Sequence, residues 1–285
     1  VKQPLGNPGS IFGCNNEAGT PKNTVTVTIN KTDATTTVDG VKRYAINGVY
    51  GGGNLAHYDP ENPGNYPTVT INGCSSSIKD VYGGGNAAAV PYTNVTINGG
   101  DIYRVFAGGN GESGTANVGY KSTSTTNPYG AGTAQAHIYG GTIYQVFGGS
   151  NTNGVIREGS SIEIDKSKAP QSSDCDMVIQ EVYGGGNKAN GNACSLTIGC
   201  TGELVAGANG HVANPDSIGK TLEGIGAVYG GANQANIGTQ NSSSDITLTI
   251  NSGMVANVFG GNNTSGTVYG DITVNIDKTT NSDDC

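Results

Sequence analysis

Apolar and polar residues alternate along this chain in runs too short for helices. Val69-Thr70-Ile71, Val95-Thr96-Ile97 and Leu196-Thr197-Ile198 each read apolar–polar–apolar, and period-two alternation of β-branched residues is a strand signal. A small-residue turn follows each. Next comes a brief second piece ending in Ile102, Ile143 or Val255, and two mostly polar residues, Tyr103-Arg104 or Lys79-Asp80, mark a corner. A third piece closes the unit with a phrase that mostly reads V-[YF]-G-G-x-N. It recurs nine times, at 11–16, 49–54, 81–86, 105–110, 146–151, 182–187, 204–209, 228–233 and 258–263.

Repetition at about 20–50 residues marks a stacked, quasi-one-dimensional architecture. Three strands of three to four residues form no sheet within one repeat. They pair with their equivalents in the next repeat, ~4.8 Å away. The expected fold is all-β: a right-handed, three-sided parallel β-helix of about nine rungs, with a core about 40 Å long at that spacing. The rungs close at Asn16, Asn54, Asn86, Asn110, Asn151, Asn187, Asn209, Asn233 and Asn263. Asn adopts the left-handed backbone of a tight corner cheaply, and stacked amides hydrogen-bond along the axis. These residues therefore read as a ladder.

With its Y-G-G-G-N phrases, the chain resembles right-handed parallel β-helix proteins over residues 11–277. More narrowly, it resembles the Y-G-G-G-N repeat regions of large bacterial surface proteins. That likeness implies an extracellular or cell-surface module. The fold itself hosts lyases, hydrolases, adhesins and spikes.

The whole chain, 1–285, reads as one domain. Long loops are expected at 55–68, 111–135, 165–177 and 210–227. The ends look open, because residue 11 starts a closing phrase and residues 272–277 start a fresh first strand. A bare strand edge is a template for another strand. Two readings stand: a piece of a longer repeat protein, or a subunit completed head to tail by its neighbour.

Composition narrows the function. With 48 Gly, no Trp and 13% charged residues, the chain lacks the residues that fill helices. A net charge of −8 argues against a nucleic-acid partner. No run of about 18 apolar residues exists for a transmembrane helix. The six Cys (Cys14, Cys74, Cys175, Cys194, Cys200, Cys285) match no zinc spacing, and no metal or cofactor is expected. They suit either disulfides or buried thiols.

Candidate binding residues fall in two places. The first is the aromatic column Tyr50, Tyr82, Phe106, Phe147, Tyr183, Tyr229 and Phe259, preceded by Phe12 and broken by Val205. Either its rings are covered, or they form a stripe on which sugars or partner chains stack. The second is loop 55–68, where His57, Tyr58, Asp59 and Tyr66 gather with Glu61. This loop would be the pocket of a polysaccharide lyase or glycoside hydrolase of β-helix type. The outward row Thr28, Thr70, Thr96, His137, Glu163, Thr197, Thr249, Asn275 suggests an ice-binding face, interrupted at His137 and Glu163. The favoured reading is a non-catalytic structural or adhesive module whose partners are carbohydrate or neighbouring protein chains.

Overall fold

The computed structural model describes residues 8–171, 175–201 and 224–277. Strands β1 (Ser10–Phe12) and β2 (Val25–Ile29) come first, then the pair β3 (Thr36–Val38) and β4 (Val41–Arg43). There follow β5 (Ile46–Tyr50), β6 (Pro67–Ile71), β7 (Ser77–Tyr82), β8 (Thr93–Ile97), β9 (Asp101–Phe106), β10 (Thr133–Ile138) and β11 (Gly141–Phe147). The last seven are β12 (Gly159–Ile164), β13 (Met177–Tyr183), β14 (Cys194–Ile198), β15 (Gly224–Tyr229), β16 (Ile246–Ile250), β17 (Val255–Phe259) and β18 (Ile272–Ile276). One short 3₁₀ turn, Lys166–Lys168, is the only helical element among the described residues.

Leaving β3 and β4 aside, successive strands alternate between two parallel sheets of eight. Sheet A runs β1-β5-β7-β9-β11-β13-β15-β17 and sheet B runs β2-β6-β8-β10-β12-β14-β16-β18. Each strand pairs in register with its equivalent one repeat away, as in Val95↔Ala136 and Phe106↔Phe147. This all-β arrangement is compatible with a parallel β-helix.

The second and third pieces of each repeat do not form separate sheets. They fuse into one sheet A strand with a single unpaired position, for Ile102↔Ile143 and Arg104↔Gln145 pair while Tyr103 and Tyr144 between them do not. The corner is thus one residue, not two. Outside the two sheets, single parallel bridges also link successive repeats: Val90↔Val118↔Ile156 and Gly191↔Ile237↔Val268.

The interior is a continuous aliphatic column. Val69, Ile71, Val81, Val95, Ile97, Val105, Val146 and Val182 are all fully buried. Alternation explains it, since every second residue of a strand points the same way.

The phrase at 204–209 lies outside the described residues. Among the described ones, Tyr183 pairs directly with Tyr229, so sheet A passes from β13 to β15 with nothing between.

Strand β10 begins at Thr133 and β15 at Gly224, inside the segments set at 111–135 and 210–227. The insertion after β12 doubles back. Its Cys175 is disulfide-bonded to Cys74, with Cα atoms 5.2 Å apart and a sequence separation of 101. That bond joins the turn between β6 and β7 to the start of β13, over the turns of two intervening repeats. Passage needs a bare backbone at Gly99, where an added Cβ would lie 2.4 Å from the Cys175 sulfur. Cys200 is also disulfide-bonded, whereas Cys14 and Cys194 are free thiols that burial pushes up to about 12.

Candidate functional site

In the described phrases from 49–54 onward the Val faces the interior and the aromatic residue faces the other way. Parallel in-register pairing then stacks the aromatics at strand spacing. Phe12, Tyr50, Tyr82, Phe106, Phe147, Tyr183, Tyr229 and Phe259 form one file, with centroids 4.6–4.9 Å apart and planes within 5–11°. Tyr50, Tyr82, Phe106, Phe147 and Tyr183 are buried, Phe12 and Tyr229 partly so, and Phe259 is 49% exposed.

The file borders a mostly polar row two residues back along each strand: Asp80, Arg104, Gln145, Glu181 and Asn257, with Gly48 and Ala227 in the same register. Arg104 donates to Asp80 through Nε and Nη2 at 2.7 and 2.9 Å, and its guanidinium lies 5.5 Å from the Phe106 centroid. Burial works against the Arg104 charge, and the Asp80 carboxylate more than offsets it. Gln145 donates to Glu181 at 2.8 Å. Tyr183 Oη donates to Glu181 and accepts from Asn263 Nδ2, both at 3.0 Å. Burial pushes the Tyr50 hydroxyl up to about 12, and raises those of Tyr82 and Tyr183 as well. Ring faces in the middle of the file are spent on one another. Only the outer face at Phe259 is broadly open.

Beyond the file, each closing Asn donates Nδ2 to the Oδ1 of the copy before it. Asn54 donates to Asn16, Asn86 to Asn54, Asn110 to Asn86, Asn151 to Asn110, Asn187 to Asn151, Asn233 to Asn187, and Asn263 to Asn233, at 2.8–3.2 Å. Asn209 lies outside the described residues. A second, shorter ladder at the end of the sheet B strands links Asn98 to Asn72 and Asn72 to Asn30, at 2.8 and 2.9 Å. Its signal was present in the repeats, as the Asn following Ile29, Ile71 and Ile97.

Loop 55–68 does not gather its residues into one pocket. Tyr58 is a core residue with 0% exposure, and its hydroxyl donates to the Asn23 carbonyl at 2.6 Å. Tyr66 packs edge-on against Tyr92, centroids 4.5 Å apart. His57 Nδ1 accepts from the Ala89 N–H at 2.9 Å, which leaves Nε2 to carry the proton of the neutral ring. Asp59 has its carboxyl raised by burial, partly offset by His57 and Lys121. The Asp59 Oδ1 and Tyr129 Oη atoms are buried without hydrogen-bond partners, and Lys121 Nζ stands 4.4 Å over the Tyr129 ring. Loop 55–68 therefore meets the segment around 121–129, a contact that sequence spacing did not reveal.

On the outward face of sheet B, the His137 and Glu163 that interrupt the Thr row pair with each other. His137 Nδ1 lies 3.2 Å from Glu163 Oε2, Tyr139 Oη donates to the same oxygen at 3.1 Å, and Lys168 donates to Oε1. Burial raises the Glu163 carboxyl, and these three donors outweigh it to leave a net lowering.

Two further features went unread in the sequence. Tyr103 and Tyr144 stack at 5.1 Å at the corner position, with Tyr44 tilted against Tyr103 at 6.4 Å. Strands β3 and β4 form an antiparallel hairpin around Asp39-Gly40, both at positive φ, with Val38 and Val41 exposed. The signal was the Asp-Gly pair between β-branched residues.

No protein-family model matches the chain, and neither a curated protein nor a solved structure matches it.

Proposed function

We propose that this chain is a non-catalytic structural or adhesive module of a bacterial surface protein, wound as a right-handed three-sided parallel β-helix. The observation that carries this reading is the set of files running along the axis. The aliphatic core, the stacked aromatics and the Asn ladder each engage their members with one another. Charged groups on the body are likewise spent on neighbours, as in Asp80–Arg104 and Glu163–Lys168. Side chains used this way make a rod rather than a reaction centre. The Cys74–Cys175 disulfide supports an oxidising, extracellular setting. Carbohydrate or a neighbouring chain is the partner, met at the exposed rims.

A second reading rests on Asp59. Its partnerless oxygen beside His57, Lys121 and Tyr129 is the observation that supports the alternative, a polysaccharide lyase or glycoside hydrolase of β-helix type.

Screening acidic and neutral polysaccharides for retention and for turnover separates the two. Retention without turnover is expected. Turnover abolished by Asp59→Asn or His57→Ala would replace the structural reading with the enzymatic one.

A further inference from the structure

Two large rings stand at a place in the fold that asks for none. The unpaired corner of the sheet A strands is Asn47, Lys79, Gln180, Gly226 or Ala256 in five repeats, and Tyr103 or Tyr144 in two. A corner residue lies outside the strand pairing and outside the core, so packing does not select an aromatic there. Tyr103 and Tyr144 nonetheless stack, with centroids 5.1 Å apart and planes within 8°. Tyr144 gives one face to Tyr103 and still keeps 41% of its surface in water.

We infer that this pair is a carbohydrate-binding platform, on which a neutral oligosaccharide lays the C–H face of a pyranose ring. The inference rests on the adhesive reading above and names its ligand and its site. Three observations carry it.

The first is that the β3–β4 hairpin completes the platform. Ser77 anchors the segment that carries it. The Ser77 N–H donates to Thr32 Oγ1 at 2.6 Å, and its Oγ accepts from the Ala45 N–H at 3.1 Å and lies 2.7 Å from Thr35 Oγ1. Lys42 reaches Asp101 at 3.4 Å. Held this way, the end of the hairpin sets Tyr44 against Tyr103, tilted by 44° at 6.4 Å. Three rings from three segments far apart in sequence thus meet at one corner.

The second is the polar border. The Asp101–Lys42 pair and the exposed Thr142 stand on one side of the rings, and the Asp80–Arg104 and Gln145–Glu181 pairs on the other. Gln145 and Tyr183 both donate to Oε2 of Glu181, so Oε1 is the acceptor offered to a sugar hydroxyl. Burial, and then the Glu181 charge, raises the Tyr144 hydroxyl, which stays protonated and able to donate. A pyranose has an apolar face and a rim of hydroxyls. An aromatic floor with a few polar groups beside it is the complement of that shape.

The third is charge and size. Lys42 is matched by Asp101 and Arg104 by Asp80, which leaves Glu181 to make the border acidic. Such a border repels a polyuronate and accepts a neutral glycan. Three partly buried tyrosines, at about 150–250 Å² each in full, expose at most a few hundred Å². That suits a few sugar rings and falls short of the roughly 800 Å² per partner of a stable protein interface.

The test titrates the oxidised 285-residue chain by calorimetry with tetrasaccharides of glucose, galactose, mannose and N-acetylglucosamine, and with tetragalacturonate as the acidic control. At least one neutral tetrasaccharide should bind, and the acidic one should not. Tyr144→Ala and Tyr103→Ala should each weaken that binding by about tenfold, as the loss of a central aromatic anchor does. Tyr144→Phe, which keeps the ring face, should stay within about twofold of wild type. Tyr269→Ala, at a ring 39% exposed elsewhere, should change nothing. Melting temperatures near that of wild type show that the variants fold. Binding of none of the four neutral sugars overturns the inference, as does binding that Tyr103→Ala and Tyr144→Ala leave unchanged, or a preference for tetragalacturonate. Self-association abolished by Tyr144→Ala also overturns it, by assigning the rings to a protein partner. Neither binding nor cleavage of any sugar removes this site and leaves the structural reading standing. Cleavage abolished by Asp59→Asn, with Tyr144-dependent binding unchanged, sinks the structural reading and leaves the platform intact.

Discussion

Phe106 and Phe259 hold the same place in the same phrase, yet one is wholly buried and the other half exposed. The residue, its strand and its ring stacking are alike: Phe106 sits 4.7 Å from Phe147, and Phe259 sits 4.9 Å from Tyr229. What differs is the number of neighbours along the axis. In this fold a side chain's contribution is set less by its own repeat than by how many repeats flank it, which is nearest-neighbour behaviour.

The sharpest way to break that comparison is to cut the same ring out of both places. Phe106→Ala leaves a hole between two occupied rungs and should cost about 3–5 kcal/mol, as large-to-small core changes do. Phe259→Ala removes a ring that is already half in water and should cost less than about 1.5 kcal/mol. Urea unfolding of both variants tests this, and equal losses would mean that the file does not act as a stack.

The disulfide sharpens the contrast next. It ties the β6–β7 turn to the start of β13, in the middle of the sheets. Replacing Cys74 and Cys175 together with Ser should cost about 2–4 kcal/mol by the usual loop-closure argument. The loss should show as faster proteolysis across the middle rungs, with the ends unchanged. Gly99→Val should mimic it in part, because the strap can no longer cross.

Smaller still is the ladder. Asn151→Ala interrupts a buried amide bonded on both sides, to Asn110 and from Asn187. Leaving its neighbours unpaired should cost about 1–3 kcal/mol. Asn263→Ala, at the exposed end of the ladder, should cost a fraction of that.

The smallest effect expected is on pH. Glu163 has its carboxyl held below the usual range in the fold, so its stabilisation is present above the unfolded-state pKa. That stabilisation is lost as pH falls through the lowered folded-state value. Glu163→Gln should flatten this acid limb of the melting temperature and hardly change it near neutrality. Thr197→Ser, in the same outward row, should leave the profile as it was.

Much of the fold was legible because the repeat writes it several times. Aligning 95–110 with 136–151 sets the strand register, and the observed pairing Val105↔Val146 follows that alignment. What stayed hidden was contact between segments that do not repeat. The strap from Cys175 to Cys74 crosses two rungs, and no periodicity encodes that return. Tyr58 looked like a loop residue because its flanks are polar; its backbone N–H bonds to Ala89, which carries the ring into the core. The corner went wrong for a related reason. Tyr103-Arg104 reads as two polar residues, yet Arg104 pairs in the ladder beside Asp80, and only Tyr103 steps out. In the aromatic column the alternation left two faces open. Burial of the Val settled it, and the rings were then left to cover one another.

Amide hydrogen exchange in dilute monomer, read strand by strand, bears most directly on the claim that flanking rungs set stability. Protection should be highest in β9 and β11, and fall off towards β1 and β2 at one end and β17 and β18 at the other. Equal protection of Ile272–Ile276 and Asp101–Phe106 in the monomer would contradict it.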